Sequence, residues 1–179
     1  MPFGEEVYAI DETTSSGGVD IVGWIESATT IGEVNFTNVA TFVGNVLAHI
    51  GPRSMSLLHI QVHGNPNSVR FGSQWVSDRN FGTHRAQFAR LTPKFTRNAW
   101  VDLRACKIGQ NLALMRLFHG LWGTGIVAGR GSQNNLFDAN FGRYQIIHPN
   151  GREETSFFVP SWVQYDPRRR LAREITSRL

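Results

Sequence analysis

The chain has 179 residues, of which 41% are hydrophobic and 18% charged, so it can bury a core, which excludes a largely disordered protein. Its formal net charge is +4, and its single cysteine excludes both an internal disulfide and a cluster of cysteine thiolates around a metal. No apolar run approaches the about 20 residues that a membrane-spanning helix needs.

The first predicted elements alternate between strand and helix. Residues 1–18 end in TTSSGG and are expected to form a flexible lead-in, followed by an apolar, β-branched strand over Val19–Ile25. Asn38 is a suitable N-cap for a helix over Val39–Ile50, whose apolar residues recur at helical spacing. The next strand is predicted over Leu57–His63, with alternate side chains on opposite faces.

The remaining elements continue this alternation. They are a hairpin or edge strand over Ser68–Val76, a helix within residues 77–98 that is broken near Pro93, a strand over Ala99–Ala105, an amphipathic helix over Asn111–Trp122, a short buried strand over Gly123–Gly129, and a hairpin formed by Phe141–His148 and Glu154–Pro160. This order predicts an α/β fold in which helices flank a mostly parallel central sheet, as a three-layer sandwich with added β-hairpins. We assign this domain to residues 19–165.

A basic segment follows the predicted domain at residues 166–179, which are expected to form a helix or tail. Its arginines are Arg168, Arg169, Arg170, Arg173 and Arg178. The simpler interpretation is a terminal helix whose arginines suit its own dipole and the solvent. A basic end could also contact nucleic acid, an anionic lipid or a polyphosphate.

Two of the predicted parallel strands end in a reactive side chain beside a small residue. Leu57–His63 is followed by Gly64, and Ala99–Ala105 is followed by Cys106, the only cysteine. The carboxyl ends of parallel strands meet at one edge of a sheet, which is where sites form in such folds. The sequence therefore predicts that His63 and Cys106 lie side by side.

This pair of residues suits nucleophilic catalysis. A thiol attacks a carbonyl as the thiolate, and His63 could accept its proton and return it to the leaving amine. Cys106 is also predicted to precede a helix N-terminus, whose dipole favours a thiolate. We assign the oxyanion-binding donors to the N–H groups of Gly64 and Cys106. The alternative is a small core cysteine and a hydrogen-bonded histidine at a strand end.

The order of these motifs resembles the caspase-hemoglobinase fold of clan CD cysteine peptidases. His63-Gly64 after an apolar strand, Ala105-Cys106 after the next, and then a helix and the GTGIVAG strand carry the resemblance, which covers about residues 19–135. Caspases, legumain, gingipain, separase and the self-cleaving domains of large bacterial toxins share such strand ends. The resemblance implies a cysteine endopeptidase acting on proteins or peptides, with Cys106 as nucleophile, His63 as general acid and base, and neither metal nor cofactor.

The resemblance also points to two arginines as substrate-binding candidates. Caspases carry Gln two residues before the cysteine, in the pocket for the residue before the cleaved bond, and this chain has Arg104 there. Arg104 could select an acidic or polar side chain, because a guanidinium binds a carboxylate with two hydrogen bonds, or it could simply pair with Asp102 or another acid. Arg130 is a second pocket candidate. The toxin-embedded members are activated by an inositol polyphosphate at a basic patch, which the arginine-rich tail could mimic.

Other functions stay open on the sequence alone. The same fold could be a catalytically inactive interaction module, or the His–Cys pair could perform deamidation or acyl transfer. A nucleic-acid-binding domain would use the basic tail and exposed aromatics such as Trp75 or Phe81, but the chain has no signature of such a domain, and we do not expect that partner. We expect a cytoplasmic protein, or an effector delivered into another cell, because the acidic N-terminus is unlike a signal peptide.

A metal site that uses His59 and His63 is disfavoured. Residues four apart on a strand are separated by about 13 Å, which one metal ion does not bridge. His59, Gln61 and Asp102 are instead predicted to form a buried polar set that supports the two strands of the site.

Overall fold

The computed structural model describes residues 4–11, 33–134, 139–158, 160 and 163. Its elements in chain order are β1 (Glu5–Asp11), β2 (Glu33–Phe36), α1 (Val39–Ile50), β3 (Met55–Gln61), β4 (His63–Gly64), β5 (Ser68–Phe71), β6 (Gln74–Ser77), α2 (Phe81–Ala89), β7 (Phe95–Arg104), α3 (Leu112–Trp122), β8 (Gly125–Gly129), β9 (Ser132–Asn134), β10 (Ala139–Phe141), β11 (Tyr144–Ile147) and β12 (Glu153–Ser156). Short 3-10 helices at Thr92–Lys94 and Ile108–Gln110 flank β7.

The described strands form one large sheet and two small ones. The large sheet has seven strands in the order β2-β1-β3-β7-β8-β11-β12. The first five strands in this order are parallel to one another. Strand β11 pairs antiparallel with β8 on one side and with β12 on the other. The predicted α/β class and mostly parallel sheet are thus confirmed. The small sheets are β4-β5-β6 and β9-β10.

Successive side chains along each strand point to opposite faces of the large sheet, and both faces carry buried apolar residues. Side chains from α1, α2 and α3 share one apolar cluster with Leu58, Val101, Ile126 and their neighbours, so these three helices of the described residues pack on one face. The opposite face buries a second, smaller cluster of Leu57, Trp100, Val127, Ile146 and Val163. The helix-covered face builds the larger core, and the opposite face carries the polar residues described below.

Helix α1 begins and ends where the sequence predicts. The Asn38 Oδ1 accepts a hydrogen bond from the Thr41 backbone N–H at 2.9 Å, and the Thr41 Oγ1 accepts one from the Asn38 N–H at 3.0 Å. This reciprocal capping box satisfies donors that the first turn leaves unpaired. Gly51 ends the helix with a positive φ of 56° and donates its N–H to the Leu47 carbonyl.

The Asn38→Ala substitution is expected to lower the free energy of unfolding by about 1 kcal/mol, because the first turn loses its side-chain acceptor. Asn38→Asp, which keeps an acceptor at the same place, should retain most of the stability. Urea unfolding of the two variants measures the difference. Equal losses in both would show that the cap is not what stabilises this end of α1.

The N-terminal part of the structure differs from the sequence expectation. Glu5–Asp11, placed in the lead-in, form β1 in the interior of the sheet, and β2 lies between the strand predicted at Val19–Ile25 and α1, where no element is predicted. Val7 and Ala9 of β1 are fully buried, but the neighbouring acids conceal this alternation in the sequence. The strand predicted at Val19–Ile25 lies outside the described residues, as do residues 166–179.

The predicted hairpins are confirmed at two places. Strands β5 and β6 pair antiparallel around a turn at Gly72, whose φ is 59°, and β11 and β12 pair around Asn150-Gly151. The helix expected within residues 77–98 is α2, and Pro93 lies beyond its end, in a 3-10 turn. None of the helices in the described part of the chain is long and apolar enough to cross a membrane.

Candidate active site

The ends of β3 and β7 lie next to each other, as the strand order predicts. The two strands pair in parallel with Gln61 opposite Arg104, and the Val62 N–H continues the ladder by donating to the Arg104 carbonyl at 3.0 Å. The next two residues, His63 and Gly64, leave the large sheet and form the short strand β4. The sheet therefore places His63-Gly64 and Ala105-Cys106 at the carboxyl ends of two neighbouring interior strands.

Gly64 is packed directly against the cysteine segment. A Cβ atom at Gly64 would lie 2.7 Å from the Ala105 Cβ, and 3.1 and 3.3 Å from the backbone O and N of Cys106. Distances this short leave room only for glycine. His63 is exposed beside this contact and Cys106 is half-buried, so both side chains are open to solvent at least in part.

The loop that follows Cys106 is tied to the loop after β8. The Lys107 N–H donates to the Gly131 carbonyl at 2.8 Å, and the Gln110 Nε2 donates to the Arg130 carbonyl at 2.8 Å. Lys107 adopts a left-handed conformation with φ 61°. The loop and the 3-10 helix Ile108–Gln110 lie between Cys106 and α3, so Cys106 precedes the N-terminus of α3 at Leu112 by six residues.

A second set of hydrogen bonds ties the His63 side of the site to α3. Asn111 caps α3 by accepting from the Leu114 N–H at 3.0 Å. Its Nδ2 donates to the Asn67 carbonyl at 2.7 Å and to the Asp78 carboxylate at 3.0 Å. Asn67 belongs to the turn that follows Gly64. The two segments of the site are thus fixed from both sides.

A buried polar network lies under this edge of the sheet. The Asp102 Oδ2 is 2.8 Å from the His59 Nδ1 and accepts from the Arg104 Nε at 2.8 Å. The His59 Nε2 lies 3.0 Å from the Glu6 Oε1, which also accepts from the Tyr8 hydroxyl at 2.6 Å. The Tyr8 ring stacks on the His59 imidazole with a centroid distance of 4.4 Å.

This network runs across three neighbouring strands in register. Tyr8, His59 and Asp102 are direct partners on β1, β3 and β7. His59 is 1% exposed and Asp102 8%, so the charges interact in a medium where such interactions are strong. Burial acts to raise the pKa of Asp102, but the Arg104 guanidinium and His59 outweigh it and hold that pKa below its usual value.

The predicted polar set is therefore confirmed for His59 and Asp102. The structure adds Glu6 and Tyr8, which the sequence analysis missed because it placed them in the lead-in. The alternation of polar residues with Val7 and Ala9 over EEVYA was the available signal. The structure also pairs Arg104 with Asp102 and buries it to 9% exposure, as one of the two interpretations of Arg104 predicts.

Arg130 lies just after β8, at the same edge of the sheet. Its side chain is exposed, and its Nη1 donates to the Gln145 Oε1 at 2.9 Å. Of the two aromatics expected to be exposed, Trp75 is 44% exposed, whereas Phe81 is 2% exposed and belongs to the core because it packs against Phe88 and Phe118. The expectation for Phe81 is wrong.

Within the described ranges, no group of three or more histidine, cysteine, aspartate or glutamate side chains is arranged to hold a metal ion. His59 and His63, the pair considered above, lie on different strands, one buried and the other exposed. No protein-family model matches the chain, and no curated protein matches its sequence.

Proposed function

We propose that this chain is a cysteine endopeptidase in which His63 and Cys106 form the catalytic dyad. The observation that carries the proposal is the contact of the Gly64 backbone with Ala105 and Cys106, which brings the two sequence motifs together at the carboxyl edge of a parallel sheet. The proposal includes a fold of the caspase-hemoglobinase type, with which the order of these motifs agrees.

In this proposal His63 removes the thiol proton of Cys106, and the thiolate Sγ attacks the carbonyl carbon of the scissile peptide bond. The N–H groups of Gly64 and Cys106 bind the oxyanion that forms. His63 then gives its proton to the leaving amine, the C–N bond breaks, and a thioester remains on Cys106. Water, activated by His63, hydrolyses the thioester and restores the thiol.

The two arginines at this end of the strands contribute to the same substrate preference in the proposal. The Arg104 Nε is bound to Asp102, so Asp102 orients a guanidinium two residues before the nucleophile. Arg130, one strand further along the sheet, is the more exposed cation. Together they favour an acidic or polar side chain before the cleaved bond, because guanidinium groups bind carboxylates well.

Alkylation of Cys106 between pH 5 and 9 tests the dyad. We expect Cys106 to react faster at pH 6 than the thiol of free glutathione, because His63 accepts the thiol proton. His63→Ala should lower the rate at pH 6 at least tenfold, whereas His84→Ala, on α2, should leave it unchanged. Peptides cleaved by the native chain and left intact by Cys106→Ala would establish the reaction.

A thiol that reacts only after unfolding, with or without added inositol polyphosphate, would contradict the proposal. In that case a non-catalytic interaction module would be the better interpretation. Polyphosphate is included because an anion bound by the arginine-rich segment 166–179 is the activator that the resemblance suggests.

A further inference from the structure

The small sheet β4-β5-β6 has one face in the core and one face in solvent. Val69, Phe71 and Val76 are fully buried on the inner face. The cross-strand register pairs His63 with Arg70 and Arg70 with Trp75. Directly opposed residues project from the same face of a sheet, so these three side chains form one row on the outer face.

Trp75 is unusually exposed for its size. Its surface is 44% exposed, and only Phe157 and Phe158 among the large hydrophobic side chains in the described part of the chain are more exposed. The guanidinium carbon of Arg70 lies 6.0 Å from the centre of the Trp75 ring, near the limit of a cation–π contact. The row therefore offers an apolar, cation-bordered surface that starts at the exposed His63.

The strand that carries Trp75 is fixed on both sides. The Gln74 Oε1 accepts a hydrogen bond from the Val39 N–H at the start of α1, at 2.9 Å. The Asn80 Nδ2 donates to the Trp75 carbonyl at 2.8 Å, and the Asn80 Oδ1 accepts from the Ser77 N–H at 2.7 Å. A surface fixed in this way loses little conformational entropy when it binds a ligand.

We propose that the row of His63, Arg70 and Trp75 binds peptide substrates on the leaving-group side of the cleaved bond, with an apolar or aromatic substrate side chain packed on the Trp75 indole. This inference rests on the proposed function. In that function His63 protonates the leaving amine, so the residues that follow the cleaved bond lie nearest to the row that begins at His63.

The dimensions of the row set which substrate residue is recognised. Strands are spaced by about 4.8 Å, so Trp75 lies about 10 Å from His63, measured across β5. An extended peptide advances about 3.3 Å per residue. The side chain that packs on Trp75 therefore belongs to about the third residue after the cleaved bond.

The test begins with a library of natural peptides, in which the native chain identifies a cleaved sequence. Two substrates are then made from that sequence, one with four residues after the cleaved bond and one that ends after the first. Trp75→Ala should lower kcat/KM for the long substrate at least tenfold and change it less than twofold for the short one. Trp75→Phe should retain most of the activity on both.

Phe157→Ala is the matched control, because Phe157 is also exposed but follows β12 at the far end of the large sheet. It should leave both substrates unaffected. Equal kcat/KM of native and Trp75→Ala chains on the long substrate, or an equal loss on both substrates, would overturn this inference and leave the dyad standing. A native chain that cleaves no peptide and whose Cys106 is unreactive would overturn both.

Discussion

Gly64→Ala is expected to reduce the proposed peptidase activity by about 100-fold. The added Cβ would lie 2.7 Å from the Ala105 Cβ and close to the Cys106 backbone, so β4 or the Cys106 segment must move. A displacement of about 1 Å between reacting groups is enough for a loss of this size. The Val62–Arg104 hydrogen bond just before Gly64 anchors the strand and leaves little freedom to absorb the shift. Rates on a cleaved peptide measure the effect.

Gly44→Ala is the matched control for this substitution. Gly44 lies within α1, and a Cβ atom there would meet nothing within 4 Å. Alanine at this position should leave activity unchanged and stabilise the helix by roughly 0.5–1 kcal/mol. If Gly64→Ala retained full activity, the contact between Gly64 and Cys106 would not be part of the reacting geometry.

Asp102→Ala is expected to lower the free energy of unfolding by about 3–5 kcal/mol. The substitution removes the carboxylate that both His59 and Arg104 contact, and it leaves a buried guanidinium without that partner. Thermal or urea unfolding measures the loss. Glu153→Gln, which removes the charge from the solvent-exposed pair of Glu153 with Arg116, should lower the free energy of unfolding far less. Similar losses in the two variants would contradict the importance of the buried network.

The same network predicts how stability depends on pH. The pKa of Asp102 is lower in the folded chain than in the unfolded chain, where it is about 3.9. Its contribution to stability is therefore fully present above that value and is lost as the pH falls through the folded pKa. Below pH 4 the urea midpoint of the native chain should fall more steeply than that of Asp102→Asn. If the urea midpoints of the two chains fell equally with pH, the ionised Asp102 carboxylate would not contribute to stability.

The sequence predicted those parts of the fold whose signals are local. The apolar spacing of Val39–Ile50 and its Asn38 cap predicted α1, and the turn residues Pro149-Asn150-Gly151 between two apolar runs predicted the hairpin of β11 and β12. Strand β1 was missed because its acids look like a solvated segment. One of these acids, Glu6, contacts His59, which lies 53 residues later in the sequence. No local sequence pattern reveals a partner so distant in the chain.

In the candidate site, too, the features with local sequence signals were predicted and those that depend on distant contacts were not. Periodicity placed His63 and Cys106 at strand ends, and the strand order then brought the two segments together. The detailed path of the chain after Cys106 was not predictable, because it depends on hydrogen bonds from Lys107 and Gln110 to the loop after β8. The register that aligns Trp75 with His63 likewise arises from two turns and from the burial of Val69.

The interior position of β1 also delays its own burial during folding. Glu6 and His59 are 53 residues apart, and His59 and Asp102 are 43 apart, so the central strands close long loops before they gain their hydrogen bonds. A ribosome adds about 5–20 residues per second. Strand β1 therefore waits for several seconds during synthesis before β3 is made. Until then Val7 and Ala9 lack the neighbouring strand β3 beside which they are buried in the folded chain.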